Sequence, residues 1–235
     1  MRVLGFLKNN VFAWRRFWKS FDEYQLLVNE SGESIDFREK LLPCIYDATT
    51  STPMEPTYFY QDSWAFEQIL RRKPKEHVDV GSHHTFVAFL SKITSVTMVD
   101  IRPLDLEMGS INFKQGSILS LPFENESLQS VSSLCVVEHI GLGRYGDELD
   151  PLGSEKAIDE LRRVLLPGGY LYLSLPIDSH NTLYFNAHRA FSEQYLKQIL
   201  RGFTFHDRKY IYGKRFLDSV QGGFGVACYV LQKKE

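Results

Sequence analysis

Asp79 and Asp100 each end a short apolar run, and they stand 21 positions apart. At the tip of a strand, one carboxylate can accept hydrogen bonds from both hydroxyls of a ribose. Gly81 follows at a point where the backbone must turn tightly and approach a ligand without a Cβ atom in the way. A lone aspartate at a strand end is usually a turn or capping residue. Two aspartates at this spacing favour a nucleotide-like ligand at the carboxyl edge of a parallel sheet.

The elements that would position these residues alternate along the chain. Apolar runs predict strands near residues 77–81, 95–101, 111–116, 128–137, 170–177, 204–212 and 224–233. Amphipathic or capped segments predict helices near residues 64–72, 84–92, 154–165 and 191–201. This alternation is typical of a mostly parallel sheet that is covered on both faces by helices. Glycines before the last strand predict a terminal antiparallel hairpin.

Two further segments resemble the core of class I S-adenosylmethionine (SAM) methyltransferases. Residues 131–140 resemble that family's fourth strand and the turn after it. Residues 161–170 match its next helix, turn and strand, with Pro167, Gly168 and Gly169 ending the helix and reversing the chain. The resemblance implies an α/β, Rossmann-like fold. Its sheet would have seven strands, mostly parallel with an antiparallel last strand, and SAM would be the cofactor.

A narrower resemblance covers about residues 58–230. The runs at 137–147 and 185–189 are similar to a family of unknown function found in bacteria and nematodes. That family is regarded as methyltransferase-like, and some members sit among surface-polysaccharide genes. The resemblance implies the class I fold, but it does not supply a substrate.

The broader resemblance implies cofactor-binding residues just beyond the first three strands. These residues are Asp79, Gly81, Ser82, Asp100, Ile101, Ser117 and Ile118. The chain departs from the family at His83, where a glycine is preferred, and at Ser117, where an aspartate often bonds the adenine amino group. Ser117 or backbone amides would have to serve instead, and Ile118 would cover the ring face. We interpret His83 and His84 as a loop residue and a helix cap rather than as metal ligands.

Candidates for catalysis lie beyond the fourth and fifth strands. Methyl transfer from a sulfonium needs an in-line approach and a base for the acceptor's proton. His139 is the first candidate base, because an imidazole titrates near neutrality, and His188 is the second. Glu138 could orient either histidine or bind a divalent ion with Asp147. Alternatively, Glu138 and His139 only fix the local backbone at a helix start.

The glycine-rich segment 141–146 is predicted to be a lid or an acceptor-binding loop. Arg144 within it suits a carboxylate or a phosphate. The predicted acceptor-binding residues are Arg144, Tyr145, Asp147, Asn186 and Arg189. The expected acceptor is an oxygen of a small molecule, such as a sugar or a surface-glycan precursor.

Composition and charge limit the other partners. The chain of 235 residues, 43% of them hydrophobic, suits a methyltransferase-like domain at 61–235 preceded by a helical extension at 1–60. The net charge of −2 combines +5 in residues 1–21 with −7 in the remainder. An acidic body argues against nucleic-acid binding. The three cysteines form no CxxC pair, which predicts reduced thiols in a cytoplasmic protein and no metal site.

The N-terminal extension contains an apolar stripe at helical spacing. It consists of Leu4, Leu7, Val11, Trp14, Trp18 and Phe21. Lys8, Arg15 and Lys19 lie largely off this stripe. One interpretation is an interfacial helix at the anionic inner face of a membrane. The other is a helix that packs on the domain or on a second subunit. No run of 18 apolar residues predicts a spanning helix.

Two other function classes fit parts of the sequence. A nicotinamide-dependent oxidoreductase would need glycines near positions 83 and 86, where His83 and Phe86 stand, and a sheet without the final hairpin. A non-catalytic methyltransferase-like module, such as a scaffold in a membrane-associated glycan assembly, is compatible with three features. They are Ser117, the N-terminal helix and the loop after the first strand, in which Gly81 is the single glycine. The methyltransferase interpretation accounts for more of the chain than either.

Overall fold

The computed structural model describes residues 2–31, 41–105 and 109–235, with side chains of the first helix described from Asn10 onward. It divides into two compact units, Met1–Met54 and Glu55–Glu235. None of the described helices is both long and apolar enough to span a bilayer.

The smaller unit includes helix α1, Arg2–Ser31, and the described residues 41–54, some of which contact this helix. Arg16 donates a hydrogen bond to the Ile45 carbonyl at 2.9 Å, and Tyr46 donates one to the Asn10 side chain. Ala13 is buried. Leu4 and Leu7 of the predicted stripe lie outside the described side chains. The remaining stripe residues, from Val11 to Phe21, lie on the described part of α1.

Helix α2, Pro56–Arg72, opens the larger unit. It begins eight residues before the start predicted at residue 64, because the N-terminal signals lie earlier. The Glu55 carboxylate accepts a hydrogen bond from the Tyr58 amide at 2.7 Å, and Pro56 occupies a first-turn position that needs no N–H. The other helices are α3 His84–Leu90, α4 Gly153–Val164 and α5 Glu193–Ile199. Their ends agree with the prediction to within two residues.

The larger unit is built on one twisted sheet and one small hairpin. In chain order, the strands are β1 Glu76–Val80, β2 Ser95–Asp100, β3 Ile111–Gln115, β4 Leu128–Leu134, β5 Leu165–Ile177, β6 Thr182–Tyr184, β7 His188–Ala190, β8 Phe203–Tyr212, β9 Arg215–Leu217 and β10 Gly225–Lys233. The main sheet has the order β3-β2-β1-β4-β5-β10-β8-β9, and β6 pairs only with β7.

The sheet confirms the predicted Rossmann-like architecture. Strands β1 to β5 pair in parallel, and β10 lies antiparallel between β5 and β8. The short strand β9 makes eight strands where seven were predicted. Strand β4 ends earlier than predicted because Cys135 takes a left-handed conformation with φ +53°. A 3-10 turn, Val137–His139, follows directly.

Apolar layers cover both faces of the sheet. On one face, α4 and α5 bury residues such as Ile158, Leu161 and Leu196. On the other face, α2 and α3 bury residues such as Ile69 and Val87. The strand order reverses between β1 and β4, and adjacent connections leave in opposite directions at such a point. A crevice therefore opens beyond the carboxyl ends of these strands.

Candidate functional site

A cleft of about 100 Å³ lies at this crevice. It is lined by residues from the ends of β1, β2 and β4 and from the segments after β3 and β4. Six of the residues predicted to form the site line this cleft: Gly81, Asp100, Ile101, Ile118, His139 and Tyr145. The chain thus brings residues separated by up to 64 positions to one edge of the sheet.

Asp100 is placed to contact a ligand in the cleft. Its Oδ1 accepts the Arg102 amide at 2.9 Å, and the Arg102 guanidinium lies 3.8 Å away. Among the described residues, Oδ2 of Asp100 has no hydrogen-bond partner. The carboxylate is therefore held in position with one oxygen available to accept bonds.

Gly81 is the glycine at which the chain turns after β1. Its φ is +71°, and a Cβ there would lie 3.1 Å from Cγ1 of Val136. Glycine is needed at this position for both its backbone angle and its packing. His83 has an ordinary φ of −61°, and the centre of its ring lies 5.1 Å from the centre of the Tyr58 ring. It precedes α3, as predicted, but its side chain makes no capping hydrogen bond.

Asp79 and Ser82 hold the loop together and do not line the cleft. Oδ1 of the fully buried Asp79 accepts the Ser82 amide at 3.0 Å, and Oδ2 accepts the Ser132 hydroxyl. The Ser82 hydroxyl accepts the Leu134 amide at 3.0 Å. Burial raises the pKa of Asp79 to about 6. Both side chains are engaged within the protein, and their role in cofactor binding stays a prediction.

A buried histidine extends this network and was missed by sequence reasoning. His77 Nε2 lies 2.9 Å from the Ser132 hydroxyl and Nδ1 lies 2.7 Å from the Ser130 hydroxyl. Burial lowers the pKa of His77 to about 3, so the ring is neutral. When Asp79 is ionised, Ser132 donates to it, and His77 Nε2–H must then donate to Ser132. Alternating polar residues in two neighbouring strands were the available signal.

Ser117 and Ile118 were both predicted to contact the cofactor's base, but they have different places in the structure. Ile118 is almost fully buried and lines the cleft. The Ser117 hydroxyl instead accepts the Leu119 amide at 3.1 Å and shapes the turn after β3. The Ser117 side chain is thus engaged in the turn, whereas that of Ile118 faces the cleft.

His139 has a defined tautomer. Its Nδ1 lies 2.6 Å from the Ala187 carbonyl oxygen, which can only accept, and 3.3 Å from Nη1 of Arg144, which can only donate. The shorter contact assigns the proton to Nδ1. Nε2 is therefore the ring's proton acceptor, 3.7 Å from Oε1 of Glu138. Burial lowers the pKa of His139 to about 4. The imidazole is neutral at physiological pH, as a base must be before it acts.

Glu138 is a buried carboxyl group next to this base. Burial raises its pKa to about 8, so it is mostly protonated at neutral pH. Its Oε2 is buried and has no partner among the described residues. The neighbouring Cys135 thiol donates to Gln61 Oε1 at 3.1 Å, and the Ser174 hydroxyl donates to the same oxygen at 2.8 Å. The Cys135 thiol also interacts with the Glu138 carboxyl group, but this contact lowers the pKa of Glu138 by less than burial raises it.

The side chain of Asp147 stabilises the segment after β4 by accepting hydrogen bonds from that segment's backbone amides. Its Oδ2 accepts the Gly141 amide at 2.6 Å and its Oδ1 accepts the Tyr145 amide at 3.2 Å. Both oxygens are engaged, which does not favour a metal shared with Glu138. No cluster of three or more metal-ligating side chains occurs within residues 2–31, 41–105 and 109–235.

Arg189 ties the same segment to the small hairpin. It donates to the carbonyls of Ile140 and Asp150 at 2.5 and 3.0 Å, and to the Ser154 hydroxyl at 3.1 Å. Asn186 occupies the hairpin turn with φ +63°. Both were predicted to bind the acceptor, but in this structure Arg189 contacts the protein itself and Asn186 shapes the turn.

Arg144, Tyr145 and His188 lie at the mouth of the cleft. The guanidinium carbons of Arg102 and Arg144 lie 4.8 and 5.1 Å from the centre of the Tyr145 ring. Arg144 donates to the Ala187 carbonyl at 3.1 Å. The His188 ring lies 6.4 Å from the His139 ring. Three predicted residues thus meet beside the candidate base.

The fold is that of class I SAM-dependent methyltransferases. One similar structure is the Burkholderia thailandensis 1,6-didemethyltoxoflavin-N1-methyltransferase with bound S-adenosylhomocysteine (TM-score 0.57, 16% identity, 75% of this chain and 79% of that chain). Another is the N-methyltransferase NodS from Bradyrhizobium japonicum (TM-score 0.57, 15% identity, 77% and 98%). The [4+2]-cyclase SpnF is also similar (TM-score 0.54, 14% identity, 74% and 80%). The fold alone therefore does not define the reaction.

The family model described as "Caenorhabditis protein of unknown function, DUF268" matches residues 85–214. The chain belongs to this family. Its matched region contains Asp100, His139 and His188, but not Gly81. A search of curated protein sequences finds no match.

The buried Glu138 gives a testable pH dependence of stability. Its folded-state pKa of about 8 exceeds the ordinary value of 4.5, so its contribution is fully present below pH 4.5 and is lost as the pH rises towards 8. Relative to the wild type, Glu138→Gln should therefore gain free energy of unfolding across this window, by at most about 1.4 kcal/mol per pH unit. Urea unfolding at several pH values measures this difference.

The exposed Glu148→Gln substitution supplies the control for loss of one acidic group. A constant difference between wild type and Glu138→Gln from pH 4.5 to 8 would contradict the assignment of a buried, protonated carboxyl group.

Proposed function

We propose that this protein is a SAM-dependent methyltransferase that methylates an oxygen of a small acceptor, such as a sugar or a surface-glycan precursor. The observation that carries the proposal is the convergence of Gly81, Asp100 and a neutral His139 in one cleft. The first two residues suit a nucleoside, and the third suits proton removal from an acceptor.

The residues present fit SAM at this edge of the sheet. The absence of a Cβ at Gly81 lets a ligand approach the backbone closely. Oδ2 of Asp100 can accept bonds from ribose hydroxyls, and the apolar side chain of Ile118 can cover an adenine face. When bound, SAM would supply an electrophilic methyl group on its sulfonium sulfur.

The chain would contribute orientation and a base. The Ala187 carbonyl fixes the His139 ring with Nε2 as the proton acceptor. As an acceptor oxygen gains a methyl group, its proton becomes strongly acidic, so even a weakly basic imidazole can remove it. Positioned general bases contribute about 10²- to 10⁴-fold in rate. Glu138, protonated beside the same ring, would help to orient it.

Isothermal titration calorimetry with SAM and S-adenosylhomocysteine tests the cofactor assignment. We expect both to bind, and Asp100→Asn to weaken binding by about tenfold or more, because hydrogen bonds to a charged group contribute about 1.5–3 kcal/mol. Asp159→Asn, which removes an acid from the exposed surface of α4, is the control and should leave affinity unchanged.

Failure of both compounds to bind at millimolar concentration would refute the enzyme proposal. Unchanged affinity in Asp100→Asn would refute the ribose assignment alone. Binding without transfer to any acceptor would favour the non-catalytic module.

We also propose that α1 rests on an anionic membrane surface, at the inner face of the cell membrane. A groove on α1 is lined by Val11, Trp14, Arg15, Trp18 and Lys19. Both tryptophans are at least 40% exposed. Tryptophan rings suit the headgroup region, and flanking cations attract acidic lipids. A homodimer contact through the same groove is the alternative.

Cosedimentation of the full chain with phosphatidylglycerol-containing vesicles tests this contact. Trp14→Ser/Trp18→Ser should lower the bound fraction, because it removes the groups that enter the headgroup layer. Phe12→Ser is the matched control, since Phe12 is exposed but does not line the groove. Equal binding of all three proteins, or none by the wild type, would contradict the membrane proposal. A wild-type dimer that the tryptophan substitutions dissociate would identify a sister subunit instead.

A further inference from the structure

An aromatic surface stands beside the candidate base. Tyr184 on β6, His188 on β7 and Phe224 before β10 approach one another with ring-centre distances of 4.8, 5.6 and 6.1 Å. Tyr184 and Phe224 are 42% and 49% exposed. The hairpin of β6 and β7 and the segment before β10 thus build one ring surface, and the T-shaped contact between His188 and His139 joins it to the cleft.

One polar atom beside this surface lacks a hydrogen-bond partner in the described part of the chain. The buried Nε2 of His188 has no hydrogen-bond partner among the described residues. Burial and the nearby Arg144 lower the pKa of His188, so its ring is neutral at physiological pH. A neutral imidazole nitrogen next to exposed aromatic rings suits a ligand that carries hydroxyl groups.

Arg144 places a positive charge at the same point. One of its nitrogens donates to the Ala187 carbonyl, immediately before His188. Its guanidinium stacks near Tyr145, and within the described ranges no carboxylate lies within ion-pair distance of it. Arg102 also packs on the Tyr145 ring, so two guanidinium groups lie at the mouth of the cleft. An arginine with free donors suits a phosphate or a carboxylate.

We propose that Tyr184, His188, Phe224 and Arg144 form the acceptor subsite, and that the acceptor is a sugar ring carrying a phosphate or carboxylate group. Sugar C–H bonds pack on aromatic faces, while the anionic group reaches Arg144. A hydroxyl of the ring then lies towards His139. This inference rests on the proposed function for its reaction, but not for its binding chemistry.

Saturation-transfer NMR and calorimetry with three probes test the subsite, each with and without S-adenosylhomocysteine. The probes are glucose 1-phosphate, glucuronic acid and glucose, so that phosphate, carboxylate and neutral rings are compared. We expect at least one anionic sugar to bind about tenfold more tightly than glucose, since a charge-assisted contact is gained. The preferred anion distinguishes a phosphorylated acceptor from a uronic acid.

Variants separate the two parts of the subsite. Arg144→Gln should abolish the preference for the anionic sugar, with about a tenfold loss of its affinity. Phe224→Ala should weaken all three sugars by a few-fold, because it removes stacking area common to them. Arg201→Gln is the control, because this exposed arginine precedes β8 at the opposite edge of the sheet.

Either of two results with the sugars would overturn the inference, as would the absence of sugar binding. Either glucose binds as tightly as both anionic sugars, or Arg144→Gln binds them as tightly as the wild type does. If the anionic preference and its loss in Arg144→Gln occur while S-adenosylhomocysteine fails to bind, the subsite stands and the methyltransferase proposal falls. Binding of S-adenosylhomocysteine without binding of any sugar would leave the methyltransferase proposal standing and refute the subsite.

Discussion

The parallel pairing of β1 with β4 is the constraint on which the site depends. It brings Asp79 opposite Ser132, and the hydrogen bond between them is buried with His77 beneath it in the same network. A buried, unpaired carboxylate would be costly. The Ser132 hydroxyl and the Ser82 amide offset that cost and thereby fix the loop that carries Gly81. The cleft exists because this loop and the turn after β4 leave the sheet in different directions.

Burial sets the protonation of the groups around the cleft. The same removal from water that raises the pKa of Glu138 lowers that of His139, so both are neutral at physiological pH. The positive charges of Arg102 and Arg144 lie farther out, at the mouth. A neutral His139 and a neutral Glu138 below a cationic entrance suit an anionic acceptor whose reacting group is a neutral hydroxyl.

Local sequence signals predicted the fold well, because alternation, glycine turns and apolar runs are properties of neighbouring residues. All seven predicted strands are present, and the last strand is antiparallel as predicted, although β9 separates β8 from β10 along the chain. The predicted start of α2 was wrong because the signals that begin the helix, Glu55 and Pro56, lie earlier in the chain. Strand β9 has only three residues, which is too short for a clear alternation.

The site was predictable only in part, because side-chain direction depends on distant partners. Asp100 and His139 were expected to face a ligand, and the structure places both on the cleft. Arg189 was expected there on its chemical type, but its donors are satisfied by two carbonyls and a hydroxyl group 35 or more positions away. Phe224 was missed because it reaches His188 only through the folding of β10 against β5. No local pattern encodes such contacts.

A crystal structure of the complex with S-adenosylhomocysteine would test the central claim most directly. The account predicts that the ligand lies between Gly81 and Ile118, with its ribose hydroxyls within hydrogen-bond distance of the Asp100 carboxylate. Its sulfur should face the side of the cleft occupied by His139. A ligand bound elsewhere, or a cleft that stays free of ligand at saturating concentration, would contradict the account.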